Sequence, residues 1–425
     1  METGDFTQTL EVRNLISELE ETCRDKKFSD IVDNQGNQYV DLVMEGGGVL
    51  GVALVGYTYV LEEMGLRFLR VGGTSAGSIN AVLVAGLGTP AQRKSEKIIK
   101  ELANVTFWDF VDGNSDVRDF VAALVHNSSL LKLGWKAAQV IDTMLWKLGL
   151  NPGEKFLEWL STILERDGVE TSRKLLDRMA TIPEGLRIHN EGPLVPDQSK
   201  PPLSLVAADV STQTKVDFPR MAPLYYRDPD QVDPALYVRA SMSIPGFFYP
   251  LRIENVPQGQ EARDAWDKLA SYTEELPSTC TLVDGGIMSN FPIDLFHVQE
   301  QLPKSPTFGA KLGTDKRRAE RIDWPLPLAT AVFRTASHCL DYDFITRNPD
   351  YKNLVTYIDT GQHGWLDFDM KEEARVDLFQ RGAHAAADFL RGFDWEVYKQ
   401  IRQQKKELYA ASARAVEAKS DPSGE

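Results

Sequence analysis

Cysteine is scarce in this sequence. Cys23, Cys280 and Cys339 stand far apart, with neither a CxxC nor a Cys/His ligand spacing, which argues against a disulfide framework and a zinc site and fits a reducing compartment. Basic charge is also in deficit: 47 Lys and Arg face 62 Asp and Glu, for a formal net charge of -15. That balance excludes broad nucleic-acid binding, which needs a basic footprint, and gives no general attraction to anionic headgroups, so any membrane contact must be local. Long apolar runs are missing too. The most apolar stretches, 49–61 and 79–87, are short or broken by glycine and fall below the roughly 20 residues that cross a bilayer. The opening METGDFTQTLEVRNL has neither the basic n-region nor the uninterrupted apolar h-region of a secretory signal. The expectation is a cytoplasmic protein without signal peptide or transmembrane helix, peripheral at most where it meets a membrane.

What is present is a globular composition, 42% hydrophobic over 425 residues, enough for one large core or two ordinary ones. Residues 1–37 read as an N-terminal helical arm, one amphipathic helix with Leu10, Leu15, Ile16 and Leu19 on a face, closed by the turn DNQGNQ. From Tyr39 the pattern alternates: strand 39–44, helix 51–64, strand 68–71, helix 76–87, then strand-like runs at LSLVAADV, CTLVDGG, TFGAKL and NLVTYIDT. That rhythm is α/β. Residues of about 90–200 read as a helical insertion ending in the proline-rich EGPLVPDQSKPP. Its apolar and aromatic residues, among them Phe107, Trp108, Phe110, Trp135, Leu145, Trp146, Phe156 and Trp159, either pack the insertion's own core or form a cap lining a channel for greasy substrates. Helical patterns near 372–391 and 394–415 close the chain, which divides into an arm at 1–37, a catalytic domain at 38–395 and a C-terminal helix and polar tail at 396–425.

The chemistry begins with DLVMEGGGVLG. Gly46, Gly48 and Gly51 spell GxGxxG between a strand and a helix, which suits either a nucleotide phosphate or an oxyanion. A dinucleotide site would need an acidic residue where the second strand ends, but that strand, RFLRVGGTSAG, ends in Gly72, Gly73, Thr74 and Ser75. A Walker-type loop would need a following GK[ST], which is absent. A nucleotide- or dinucleotide-binding regulatory protein is therefore the weaker alternative. Instead, Gly73 to Gly77 form GTSAG, a GxSxG between a strand and an apolar helix. A nucleophile elbow forces its serine into a strained turn, and the flanking Gly73 and Gly77 let strand and helix close around it. The helix start adds free N–H groups and the positive end of the macrodipole near Ser75. An ester attacked there forms an oxyanion, and Gly46, Gly47 and Gly48 supply bare amides for it. Parallel strands 39–44 and 68–71, joined by a right-handed crossover, would bring amides and nucleophile to one edge of the sheet.

Serine needs a proton acceptor, and two schemes remain open. In one, His363 in DTGQHGW serves a triad; His126, His189, His297, His338 and His384 have no better context. In the other, LVDGGIMSNFP places Asp284 at the end of a strand beside Gly285 and Gly286, where burial would raise its pKa and strengthen it as a base.

Taken in order, EGGGVLG, GTSAG and DGG resemble the patatin-like phospholipase family, with RASMSIPGFFYP and DGGIMSNFP as further landmarks. The resemblance covers about 39–293, and more loosely LFQRGAHAAADFL. It implies a three-layer α/β/α sandwich with a mixed, mostly parallel sheet. It implies acyl-ester hydrolysis on phospholipids or related lipids at a membrane or micelle surface, without metal or cofactor. By it, Ser75 would be the acylated nucleophile, Asp284 the base, and Gly46, Gly47 and Gly48 the oxyanion donors, with Gly51, Gly73, Gly77, Gly285 and Gly286 supporting. Some relatives stay inactive until a partner or small molecule binds, so an activator belongs to the expectation. Many relatives carry Lys or Arg where this chain has Leu50, which leaves neutral acylglycerols and soluble esters open as substrates. Lys311, Lys316, Arg317 and Arg318 read either as an interfacial basic patch or, as such runs more often are, as a solvated surface.

Overall fold

The computed structural model describes residues 1–125, 146–189, 191–194, 201–296, 301–313, 331–332, 335–336 and 344–420. Expectations for Trp135, Leu145, His126, His297, His338, Cys339, Lys316, Arg317 and Arg318 lie outside them. The strands are β1 (Ile31–Val32), β2 (Gln38–Met44), β3 (Leu66–Thr74), β4 (Arg187–Ile188), β5 (Gly192–Pro193), β6 (Leu203–Asp209), β7 (Thr214–Phe218), β8 (Leu251–Glu254), β9 (Thr279–Asp284), β10 (Thr307–Leu312) and β11 (Val355–Ile358). They form one mixed sheet. Its centre, in the order β11, β10, β2, β3, β6, is parallel, and its flanks are antiparallel. Every residue of β6 and all of β2 after Gln38 are buried, so alternate side chains are covered on both faces, as a three-layer α/β/α arrangement requires.

The helices are α1 (Thr3–Thr7), α2 (Leu10–Cys23), α3 (Val52–Glu63), α4 (Ala76–Gly86), α5 (Ser95–Asn104), α6 (Ser115–Val125), α7 (Glu154–Arg166), α8 (Ser172–Met179), α9 (Ala222–Tyr225), α10 (Pro234–Ser241), α11 (Gln260–Ala270), α12 (Glu372–Gly392) and α13 (Trp395–Ser420). Helix α3 links β2 to β3, α4 leaves β3 and packs on β2, β3 and β6, and α12 lies along α3. No helix among the described residues is long and apolar enough to cross a membrane.

The first residues differ from the expected single helix. Thr9 accepts a hydrogen bond from the Val12 amide and caps α2, so the chain breaks into α1 and α2. Val12, Leu15, Leu19 and Cys23 form the buried face, while Leu10 is 68% exposed. Phe6 is buried edge-on to Phe379 of α12, and β1 pairs with β2 and β4, which ties these residues into both core and sheet. The stretch of about 90–200 is likewise not wholly helical. Its β4 and β5 continue the ladder beyond β1, an edge that would otherwise leave unpaired backbone groups. Phe107, Phe110, Phe156 and Trp159 pack ring against ring and join the main core, whereas Trp146 is 78% exposed.

Candidate active site

The sheet register brings the expected pair together. Thr74 of β3 pairs with Val206 of β6, and Asp284 of β9 pairs with the adjacent Ala207, so the ends of β3 and β9 flank the same two residues. Ser75 follows at once, between β3 and α4, with φ 51° and ψ −119°. A serine in that region is strained, and neighbours must hold it. They do. The Ser75 amide donates to Ser241 Oγ at 2.9 Å, Ser241 Oγ donates to the Val206 carbonyl at 2.6 Å, and the Ser75 carbonyl accepts from Ser78 Oγ at 2.6 Å. The turn closes because Gly73 and Gly77 lack side chains: a Cβ on Gly77 would stand 2.1 Å from the Met44 carbonyl oxygen, and one on Gly73 2.4 Å from the carbonyl carbon of Gly77. Strands β2 and β3 and helix α4 meet there.

Asp284 is 2% exposed and Ser75 5%. The Asp284 amide donates to the Ser243 carbonyl at 2.9 Å, and its Oδ1 accepts from the Gly286 amide at 2.7 Å. Burial pushes its carboxyl up to about 7, against the opposing pull of the Gly286 amide and of hydrogen bonding with the Ser75 hydroxyl. No cation figures among these causes. A carboxylate so placed is a far stronger base than one in water.

The glycine loop lies against the same serine, since a Cβ on Gly46 would be 3.1 Å from Ser75 Cβ. One expected donor is taken. The Gly46 amide donates to the Asn290 carbonyl at 3.0 Å, while Asn290 Nδ2 donates to the Gly46 carbonyl at 3.2 Å, so this residue ties the loop to the segment after Asp284 instead of facing a substrate. The amides of Gly47 and Gly48 have no acceptor among the described residues, and Gly48 holds a left-handed φ of 56°. The amide of Ala76, which opens α4, also has no acceptor among the described residues; the sequence reading did not single it out, and the residue after the nucleophile commonly takes that role. Gly51 packs against Ala76 and Asn80 and completes the crossing of loop and helix. For a nucleotide the loop offers little room. The Trp365 carbonyl lies where a Cβ of residue 48 would be, at 2.1 Å, and would oppose a phosphate.

One further expectation is corrected. Lys311 does not belong to an interfacial patch: β10 lies between β2 and β11, so Lys311 is buried, paired at 2.9 Å with Glu45 and placed over the Phe291 ring. His363 pairs through Nε2 with Asp377 Oδ2 at 2.7 Å, while the Ser75 hydroxyl is one of the groups that act on the Asp284 carboxyl. Among the described residues, no three His, Cys, Asp or Glu side chains are grouped to hold a metal ion. The supporting residues missed in the sequence are Ser241, Ser243, Asn290 and Arg239. Arg239, buried and lowered by desolvation to about 10, donates to Ser243 Oγ at 2.5 Å and to the carbonyls of Pro152 and Tyr249 at 2.5 and 2.8 Å. For Arg239, Ser241 and Ser243 the signal was the RASMS stretch around a helix end, and for Asn290 the segment DGGIMSNFP.

Comparison with known proteins follows the same motifs. The family model Patatin-like phospholipase matches residues 42–297. The Uncharacterized protein YqhO of Bacillus subtilis (strain 168) is 30% identical over 355 residues, 83% of this chain and 98% of its own length. Among solved structures, VipD from Legionella pneumophila is similar with a TM-score of 0.38 and 16% identity, over 86% of this chain and 70% of that one. The type III effector ExoU of Pseudomonas aeruginosa gives a TM-score of 0.36 at 16% identity, over 88% of this chain and 55% of its own. Both structural likenesses are distant.

Proposed function

This chain belongs to the patatin-like phospholipase family, and on that premise we propose that it is a serine lipid acyl hydrolase, cleaving acyl esters of phospholipids or related lipids through an acyl-enzyme on Ser75. One observation carries the reading: the sheet register sets a buried carboxyl at a strand end beside a serine held in a strained elbow, next to glycine-loop amides that lack acceptors among the described residues.

The steps follow from those groups. Asp284, as carboxylate, takes the Ser75 proton while Oγ attacks the ester carbonyl carbon. Negative charge then develops on the carbonyl oxygen, where the amides of Gly47, Gly48 and Ala76 stabilise it. The C–O bond to the leaving alcohol breaks, and Asp284 returns the proton to that oxygen. Water then attacks the acyl-enzyme, giving its proton to Asp284, and the bond to Ser75 Oγ breaks as Asp284 returns that proton to it, releasing the fatty acid. A buried pair with no cation suits this cycle, because the carboxyl must both accept and give up a proton near neutral pH. Leu50 and the Glu45–Lys311 pair leave no charge at the loop committed to an anionic headgroup, so the reading extends to neutral acyl esters as well.

The test is to incubate the purified chain with a mixed lipid extract and record fatty acids and lysolipids, alongside labelling by a serine-directed fluorophosphonate mapped by mass. Release of acids and an adduct at Ser75, both lost in Ser75→Ala, are expected. Near-normal turnover in Asp284→Asn together with loss in His363→Ala would replace the pair by the triad.

A further inference from the structure

His363 has no part in the reaction just described, yet it sits in a segment that lies on the glycine loop. Residues 359–370 cross from the end of β11 to the start of α12. In that segment the Trp365 carbonyl accepts the Val49 amide at 3.1 Å and occupies the space a side chain at Gly48 would need. The Val49 amide belongs to the peptide unit next to the one that carries the Gly48 amide, so fixing the first, with Gly48 at φ 56°, fixes the direction of the second. Three residues on, Phe368 stacks on Phe247 with ring centroids 5.0 Å apart, and Phe247 follows Ser243, whose carbonyl holds the Asp284 amide. The segment thus touches the oxyanion side directly and the Asp284 side through an aromatic contact.

What holds the segment is on α12. Asp377 and Arg381, one turn apart and on one face, meet it together: Asp377 Oδ2 bonds His363 Nε2 and Arg381 Nε, each at 2.7 Å, and Arg381 Nη1 donates to the Asp359 carbonyl at 3.3 Å. The contact to a carboxylate puts the proton of His363 on Nε2.

We propose that residues 359–370 form a strap that aims the glycine-loop amides, and that His363, latched to Asp377, is a positioning residue for that strap and not the base. The proposal rests on the acyl-hydrolase reading for its kinetic arm but not for its structural one.

The experiment uses the full chain with p-nitrophenyl butyrate as a soluble ester, and hydrogen–deuterium exchange resolved to Val49 and to residues 359–370. His363→Ala and Asp377→Ala are each expected to lower kcat about tenfold, with KM within about twofold, because an oxyanion donor is misdirected while binding is not. The double variant should be no worse than either single one, His363→Gln should restore part of the rate through its amide donor, and exchange at Val49 should quicken in both alanine variants. Unchanged or faster turnover, a fall in kcat without faster exchange at Val49, or a loss as deep as in Ser75→Ala with unaltered exchange overturns the proposal. If the wild-type chain neither hydrolyses the ester nor labels at Ser75, the functional reading fails by itself, and exchange at Val49 in His363→Ala still decides the strap.

Discussion

Asp284, at the end of β9, and Asp377, in the second turn of α12, are two acids whose surroundings differ in kind. Asp284 is buried and meets neutral donors, the Gly286 amide and the Ser75 hydroxyl; burial dominates and raises its carboxyl to about 7. Asp377 is half exposed. Burial is the largest single influence and pushes it up, but Arg381 and His363 together outweigh it and hold it below the ordinary carboxylate range. A carboxylate fixed by cations is a poor base and a good anchor, while one deprived of them holds its proton near neutral pH and can exchange it. On the proposed reading, the same residue type serves chemistry on one side of the site and geometry on the other.

The contrast can be broken most sharply at the nucleophile. Ser75→Ala is expected to abolish the fluorophosphonate adduct and lower acyl release roughly ten-thousandfold or more, since the neighbouring hydroxyls of Thr74, Ser78 and Ser241 donate to backbone carbonyls instead. Asp284→Asn should lower kcat/KM by roughly a thousandfold, the range of a general base, while the melting temperature at pH 8 rises by roughly a few degrees because a buried charge is removed. A fall in melting temperature would show that the carboxylate supports the fold. pH separates the two acids next. A carboxyl whose folded value is raised contributes stability that is full below its ordinary 3.8 and lost as pH climbs through about 7, so the native chain should lose stability over that interval. Activity should rise over the same interval, as Asp284 becomes able to accept a proton. Asp377, held low, contributes stability that is lost only as pH falls through its folded value, so its latch should persist down to acid pH. An activity profile flat between pH 5 and 8 in roughly constant salt would contradict the assignment of Asp284 as base. The smallest effect belongs to Leu50→Arg, which should favour anionic over neutral lipid vesicles by roughly a fewfold, an advantage that added salt removes.

Much of this site was legible in the chain. A GxSxG at a strand end constrains its own backbone, and an Asp-Gly-Gly after an apolar run marks a strand terminus with close neighbours, so Ser75 and Asp284 could be read locally. The helix capped by Thr9 was missed because its signal, one hydroxyl, is weak beside a continuous apolar pattern. Lys311 was misplaced because nothing in TFGAKL says that β10 lies between two other strands, where a lysine must find Glu45. The loss of Gly46 as a donor comes from Asn290, and the hold on Ser75 from Ser241, both far along the chain.

By itself, then, the order of residues determined the α/β alternation and the elbow and pointed to Ser75 and Asp284 as the candidate hydroxyl and acid, because tiny residues, apolar periodicity and strand ends act over a few neighbouring positions. Only the packed molecule decided which amides stay free, which acid is raised and which is held down, and where His363 is pinned, because each of these depends on the groups that distant segments press against it.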